Sequence, residues 1–180
     1  MPIQTDHIRT VITAYLAQHP EDAHEVAVVQ GLLDTGCGLT SRKSLPGHVT
    51  AGAILVGHDG RVLHILHNAT GKWLLPGGHI EPTDDTLLEA AGRELTEETG
   101  ISPQVVAPHS EVPLHIDVHT IDANPVKGEP AHQHYDFRFF FRTTADIGKL
   151  QTEEVTDAAW RPVESLADEH LKRRVAGVLL

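Results

Sequence analysis

The sequence is short of the residues that build disulfide frameworks, membrane spans and leader peptides. It contains a single cysteine, Cys37, which excludes an internal disulfide framework. No run of about 18 apolar residues occurs, so the chain offers no candidate transmembrane helix. The first residues, Met-Pro-Ile-Gln-Thr-Asp-His, lack the basic-then-apolar order of a signal peptide. We therefore expect no membrane association and a cytoplasmic location.

Basic residues are also scarce. Lysine and arginine total 14 against 25 aspartates and glutamates, which gives a formal net charge of −11. Duplex nucleic acid would meet a repulsive surface, and no basic stripe offsets it. We therefore expect no duplex nucleic-acid partner. A small anionic substrate is compatible with this charge if a bound metal ion reverses the local field.

The remaining composition is that of an ordinary globular domain. The chain has 180 residues, of which 40% are hydrophobic and 22% charged, enough for one domain with a substantial core. Fourteen histidines are many for this length. They are scattered through the chain, so we interpret them mainly as surface residues and expect no histidine-built metal site.

Three acidic residues share one edge of a predicted helix. At about 100° per residue, Glu94, Glu97 and Glu98 lie beside the apolar stripe that contains Leu87 and Leu95. Like charges at this spacing repel one another, so a cation is expected there. All-oxygen ligands suit hard ions such as Mg²⁺, Mn²⁺ or Ca²⁺ better than Zn²⁺. Mg²⁺ is favoured because it uses a few carboxylates and leaves positions for water and substrate phosphates. The alternative is a charged helix face that is neutralised by Arg93 and other side chains.

The same segment resembles the Nudix box of the MutT-like hydrolases. The run Arg93-Glu-Leu-Thr-Glu-Glu-Thr-Gly-Ile101 fits the second half of that motif, and Leu75-Pro-Gly-Gly78 also looks like the family. The resemblance implies an α/β/α sandwich with a mixed sheet over about residues 48–180. It also implies hydrolysis of a phosphoanhydride bond in a nucleoside diphosphate that is linked to another moiety.

The motif departs from the family pattern at its first acid. Counting forward from Gly78 places that acid at Asp84, whereas counting back from Arg93 places it at Asp85, so one extra residue is present. A residue inserted within the helix would rotate the acids by about 100°. We therefore expect the extra residue before the helix, with Thr83, Asp84 or Asp85 as the N-cap.

The resemblance also suggests roles for residues around the helix. It implies that Glu94, Glu97 and Glu98 hold the metal together with a glycine carbonyl, for which Gly77 is preferred. Arg93 is expected to orient a neighbouring carboxylate through a bidentate hydrogen bond. Glu98, Glu153 or Glu154 could act as the general base. For Glu153 and Glu154, the alternative is a solvated acidic loop.

Two predicted strands carry polar residues on one face. Alternation places His132, His134, Asp136 and Arg138 opposite an aromatic face, and separates His115, Asp117 and His119 from their apolar neighbours. The polar faces could form a wall of the substrate cleft, or simply face solvent. Arg42, in the exposed basic pair with Lys43, could contact a substrate phosphate or be only solvated.

The remaining patterns predict an N-terminal helical extension, residues 1–40, and a hydrolase domain, residues 41–180. The extension should pack against the domain or against a partner subunit, and we expect a homodimer. The predicted elements are helices at 6–18 and 21–34, strands at 48–56, 62–67, 73–75, 104–120, 132–143 and 158–162, and a helix from Val163.

The function expected from the resemblance is a Mg²⁺- or Mn²⁺-dependent pyrophosphohydrolase. The alternative is a Nudix-like nucleotide-binding or regulatory module without catalysis, although such a module need not keep a repulsive acid cluster. Subgroups of the family that act on ADP-ribose or dinucleoside polyphosphates carry a proline or a tyrosine beyond the box. Here those places hold Asp117, Val118 and His119, so the substrate is not indicated.

Overall fold

The computed structural model describes residues 3–125, 128–150 and 153–180. No helix within these ranges is both long and apolar enough to cross a membrane. Their regular elements are α1 (Thr5–Gln18), α2 (Ala23–Asp34), β1 (Gly47–Val56), β2 (Val62–His67), β3 (Lys72–Leu74), β4 (Gly77–His79), α3 (Leu87–Thr99), β5 (Val106–Pro108), β6 (His115–Ile121), β7 (His132–Thr143), β8 (Val155–Arg161) and α4 (Glu169–Leu179).

The strands form one mixed sheet around the long central pair β1 and β7. These two strands run parallel, from Gly47 opposite Gln133 to Val56 opposite Arg142. The other pairings are antiparallel: the main path is β3-β2-β1-β7-β5, with β4 on β1, β6 on β7 and β8 on β2. This confirms the predicted α/β class. The β1–β2 hairpin turns at Asp59–Gly60, where Gly60 has a φ of 79°.

Alternate residues of the central strands enter two separate cores. Ala51 and Phe137 belong to the larger core, which also contains buried residues of α1, α2 and α3. Ile54 and Phe140 point the other way and pack with Leu171 of α4. Because successive side chains of a strand face opposite sides, this division places helices on both faces of the sheet. The aromatic face predicted opposite His134 and Arg138 consists of buried side chains: Tyr135, Phe137, Phe139 and Phe141.

The N-terminal helices pack directly on the rest of the chain. Ile8 and Tyr15 of α1 are fully buried in the larger core. The His7 Nε2 accepts a hydrogen bond from the Leu87 amide at 3.1 Å, which satisfies a free donor at the start of α3. The Tyr15 hydroxyl hydrogen-bonds Asp22 and accepts from Arg174 of α4 at 2.6 Å. Of the two expected packing modes, the structure therefore shows contact with the domain.

Two predicted elements were wrong in their extent. The single strand predicted for residues 104–120 is divided into β5 and β6, and Pro113, which lacks a backbone N–H, stands in the gap between them. The helix predicted from Val163 starts only at Glu169, because Asp168 caps it by accepting from the Leu171 amide at 2.6 Å. Residues Val163–Ser165 form a single 3₁₀ turn.

Candidate active site

The acidic helix α3 begins later than the sequence suggested. Its N-cap is Thr86, whose Oγ1 accepts from the Glu89 amide at 3.1 Å, so the prediction of Thr83, Asp84 or Asp85 as the cap was wrong. The loop geometry, rather than the first polar residue, decides which side chain reaches the free amides. Since the helix starts at Leu87, after both aspartates, the extra residue lies ahead of it as expected.

Strand β4 lies so close to α3 and to β1 that only glycines fit at two of its positions. A Cβ atom on Gly78 would lie 2.6 Å from the carboxyl carbon of Glu94, and one on Gly77 would lie 2.7 Å from the Cα of Gly52. The Gly77 amide donates to the Oε2 of Glu98 at 2.9 Å. Gly78 therefore lets the strand lie directly against the buried carboxylate of Glu94, and Gly77 lets it lie against β1.

Arg93 holds the acidic groups in place. It forms a bidentate ion pair with Asp84, with Nε–Oδ1 and Nη2–Oδ2 distances of 2.9 and 3.0 Å. Its Nη1 donates to both Glu94 and Glu97 at 3.0 Å, and its Nη2 also donates to the His79 carbonyl at 2.9 Å. The bidentate contact expected of Arg93 is thus made with Asp84, which is buried, whereas Asp85 is exposed.

Burial makes the charged forms of two of these acids unfavourable. Desolvation raises the pKa of Glu94 to about 7, although Arg93 opposes the shift. It raises the pKa of Glu98 to about 8, against the hydrogen bond from Gly77. Glu97 is largely exposed, and its charge adds to both shifts. Buried oxygen donors that repel one another fit a hard divalent cation such as Mg²⁺ or Mn²⁺.

The two glutamates of the loop before β8 differ in their relation to this cluster. The charge of Glu154 is near enough to raise the pKa of both Glu94 and Glu98. For Glu153 the structure shows a backbone contact, in which its carbonyl accepts from the Asn68 side chain at 3.0 Å. The effect of its charge therefore associates Glu154 with the acidic site more directly than Glu153.

The predicted polar faces of β6 and β7 do lie side by side. Asp117 stands opposite Asp136, and His119 stands opposite His134. Between them Arg138 donates to Asp136 and to Asp117, each at 2.7 Å. The positive charge of Arg138 is thus balanced by two carboxylates, and its main contacts fix the polar face.

Arg42 is on the periphery of this face. Its side chain is mostly exposed, and its Nη2 lies 3.8 Å from the Oε1 of Glu129, a weak surface ion pair. Its charge contributes to lowering the pKa of His48 and His79. Arg42 therefore acts on these two histidines through its charge.

A group of histidines on the sheet was missed at the level of sequence. Ring nitrogens of His48, His79 and His134 all lie within 4.8 Å of one another, so the expectation of scattered surface histidines was wrong for these three. They come from β1, β4 and β7, and the register of those strands brings them together. No spacing along the chain signals a contact of this kind.

A known protein family matches the part of the chain that carries the acidic site. The model described as the NUDIX domain matches residues 46–178, which is most of the chain. The chain belongs to the Nudix family. The matched region contains the whole sheet, the glycines of β4 and the acidic helix of this Nudix chain.

Similar proteins share either a short segment or the fold. The Escherichia coli K12 phosphatase NudJ is 51% identical over 59 residues, a segment that spans 32% of this chain and 37% of NudJ. A Nudix-family hydrolase of Clostridium perfringens is 24% identical, with a TM-score of 0.54 over 73% of this chain and 95% of its own. The NUDIX domain of Shewanella oneidensis NrtR, solved with ADP ribose, is 21% identical, with a TM-score of 0.51 over 73% and 88%.

Proposed function

We propose that this chain is a Mg²⁺- or Mn²⁺-dependent pyrophosphohydrolase. It cleaves a phosphoanhydride bond in a nucleoside diphosphate that is linked to another moiety. The observation that carries the proposal is the buried pair Glu94 and Glu98 beside the glycines of β4. Glu94 lies against Gly78 and is held by Arg93, and Glu98 accepts a hydrogen bond from the Gly77 amide. A buried pair of acids with raised pKa values is unfavourable in a purely structural role and favourable as a ligand set.

The proposed ligands are the carboxylates of Glu94, Glu97 and Glu98 with the carbonyl of Gly77. When bound there, a divalent ion neutralises the diphosphate and lowers the pKa of a water molecule. Arg93 and Asp84 position these ligands: the guanidinium holds Glu94 and Glu97, and Asp84 fixes the guanidinium. Arg93 therefore acts through the carboxylates.

We propose Glu154 or Glu98 as the group that takes the proton of the attacking water. Glu154 is supported by its electrostatic proximity to Glu94 and Glu98, and it is preferred over Glu153. Glu98 is supported by its place in the buried carboxylate cluster beside the Gly77 amide. No covalent nucleophile is required in this scheme.

The substrate side is proposed to be the polar face of β6 and β7. Asp136 and Arg138 are fixed by their ion pair, so they offer oriented groups at little entropic cost. Arg42 is the exposed cation that could meet a phosphate, and His134 lies on the same face. ADP ribose bound to the NrtR domain supports a substrate with two linked phosphates. A homodimer, a cytoplasmic location and the division at residue 40 stay predictions.

The test is a panel of ADP-ribose, nucleotide sugars, dinucleoside polyphosphates, NAD-type compounds and nucleoside triphosphates, assayed with Mg²⁺, with Mn²⁺ and with excess chelator. Turnover of a diphosphate-linked compound that stops in chelator is the expected result. Glu98→Gln should lose on the order of a hundredfold or more in kcat while keeping its fold.

The matched control is Glu89→Gln, an exposed acid of the same helix, which should keep near wild-type activity. Turnover in chelator, or an unimpaired Glu98→Gln enzyme, would overturn the proposal. Tight binding of ADP-ribose without any hydrolysis across the panel would support the regulatory alternative instead.

A further inference from the structure

We propose that His48, His79 and His134 form a second metal site, separate from the carboxylate site, that takes Zn²⁺ or a similar transition-metal ion. One ring nitrogen from each residue lies within 4.8 Å of the others. This site goes beyond the proposed hydrolase activity. It does not depend on that activity for its support.

The sheet itself brings the three ligands together. His48 of β1 stands opposite His134 of the parallel strand β7, and His79 of β4 stands opposite Thr50. Residues two apart on a strand share a face, so His48, His79 and His134 point to the same side. The ring centroid of His48 lies 5.1 Å from that of His79 and 4.7 Å from that of His134. Ligands on rigid strands are well suited to a defined coordination geometry.

Unpaired ring nitrogens are the second observation. Among the described residues, both ring nitrogens of His48 and the Nε2 of His134 are buried without a hydrogen-bond partner. The backbone of Ser44 approaches His48 but lacks hydrogen-bond geometry. Buried polar atoms normally find partners, because leaving one unsatisfied costs about 1–3 kcal/mol. A metal ion would take the lone pair of one ring nitrogen from each histidine.

The donor set indicates the class of ion. Three neutral imidazoles suit Zn²⁺, Ni²⁺, Cu²⁺ or Co²⁺, and they are poor ligands for Mg²⁺, which prefers oxygen. Burial, with the repulsion of neighbouring rings, lowers the pKa of His48 to about 4 and of His134 to about 3, so both rings are in the neutral form that binds metal. Ligand nitrogens of tetrahedral zinc lie about 3.3 Å apart. Rotation of the rings must therefore close the site around the ion.

Two acidic residues and a fourth histidine lie near the three histidines. The negative charges of Glu129 and Glu154 raise the pKa of His79 and so partly offset the lowering by Arg42. His132 stacks on His48 with a centroid distance of 5.0 Å, so a fourth imidazole is adjacent to the three ligands. Three protein ligands leave one tetrahedral position, which water or His132 could fill.

The test is calorimetric titration of Zn²⁺ into the full-length, tag-free protein, first stripped with chelator and then saturated with Mg²⁺. Excess Mg²⁺ occupies the carboxylate site, so Zn²⁺ reports on the histidines. We expect wild type to bind one Zn²⁺ and His79→Gln and His134→Gln to lose at least about tenfold in Zn²⁺ affinity, since even a group that only supports a metal ligand contributes that much. Circular dichroism checks that each variant is folded.

Two controls locate the ion. His58→Gln removes an exposed histidine and should bind Zn²⁺ as wild type does. Glu97→Gln alters the carboxylate site and should also retain Zn²⁺ binding. Wild type without a Zn²⁺ site in Mg²⁺, folded His79→Gln and His134→Gln proteins with unchanged affinity, or loss of binding in Glu97→Gln would each overturn the proposal.

A spectrum keeps the test decisive if a histidine variant fails to fold. Co²⁺ added to the Mg²⁺-saturated wild-type protein should give the strong visible absorption of a tetrahedral nitrogen-ligated ion. The weak spectrum of octahedral Co²⁺ would contradict the site. Hydrolysis of the substrate panel is measured separately, so failure of the zinc site leaves the proposed hydrolase activity to its own test.

Discussion

Strand β4 separates two polar clusters that respond to burial in opposite ways. On one side Gly78 admits the carboxylate of Glu94, and on the other the ring of His79 meets His48 and His134. Desolvation raises the pKa of Glu94 and lowers the pKa of both His48 and His134. In each cluster the neutral form is favoured, because burial penalises the charged form.

Desolvation by burial therefore has different consequences for metal binding by carboxylates and by imidazoles. Neutral imidazoles are already in their metal-binding form, whereas protonated carboxylates must first lose a proton. The acidic cluster therefore favours a hard ion and releases protons when that ion binds. The histidine cluster favours a transition-metal ion such as Zn²⁺, and few protons are released when it binds.

The largest effect should come from changing the register of α3. Inserting one alanine between Leu95 and Thr96 rotates Glu97 and Glu98 by about 100° relative to Glu94, so Mg²⁺ affinity should fall by about 100-fold or more and hydrolysis should be lost. Deleting Asp85 changes only the exposed loop before the helix and should be tolerated. Calorimetry with Mg²⁺ and Zn²⁺ checks both variants.

The two clusters should separate in that experiment. The insertion should leave Zn²⁺ affinity near wild type, because β1, β4 and β7 keep their register. Equal loss of Mg²⁺ affinity in the folded insertion and deletion variants would contradict the placement of the extra residue. Loss of both metals in the insertion would contradict the independence of the clusters.

A smaller effect is expected on the polar face of the sheet. Arg138→Met leaves Asp117 and Asp136 without their shared cation, so the free energy of unfolding should fall by about 2–5 kcal/mol. Arg42→Met removes only an exposed cation at 3.8 Å from its partner and should change stability by about 0.5 kcal/mol or less. Urea unfolding of the two variants should show this difference. Equal changes in the free energy of unfolding would mean that Arg138 contributes no more to stability than an exposed surface residue.

The next effect is a pH dependence whose sign differs between the clusters. Glu98 binds a proton in the folded protein up to about pH 8 but has an ordinary value of 4.5, so its contribution to stability falls as the pH rises between these values. His48 and His134 are lowered from 6.5 to about 4 and 3, so their contribution rises with pH and is complete above 6.5. Between pH 6.5 and 8 the contribution of these two histidines is constant, and the acidic contribution still changes with pH.

In metal-free protein, stability should therefore fall by about 1–3 kcal/mol from pH 6.5 to pH 8. Chemical unfolding in chelator measures this change. Glu98→Gln should reduce the slope, and Mg²⁺ should reverse it by restoring a charge partner. A flat profile in wild type, or an identical slope in Glu98→Gln, would break the contrast between the clusters.

The acidic site could be predicted from sequence because its geometry is local. Glu94, Glu97 and Glu98 lie on one helix, so their spacing fixes their arrangement. The neighbouring polar faces of β6 and β7 were also predictable, since alternation assigns each strand a face and the two are consecutive in the chain. The choice of Asp84 over Asp85 was not predictable, because it depends on how the loop folds back to Arg93.

The histidine cluster lay beyond sequence reasoning. It requires β1 to pair in parallel with β7, which joins His48 to a residue 86 positions away, and it requires β4 to return along β1. Neither pairing leaves a local signature. The same holds for the contact of His7 with the start of α3, which ties the N-terminal extension to the acidic helix.

The most direct test of the account is the number of protons released when Mg²⁺ binds. With pKa values of about 7 and 8, Glu94 is about half protonated and Glu98 is mostly protonated in the metal-free protein at pH 7, and both must ionise to act as ligands. Calorimetry at pH 7 in buffers of different ionisation enthalpy measures this quantity. The account predicts release of roughly one to two protons per Mg²⁺, and less from Glu98→Gln. Binding of Mg²⁺ with no proton release, or with the same release from Glu98→Gln, would contradict it.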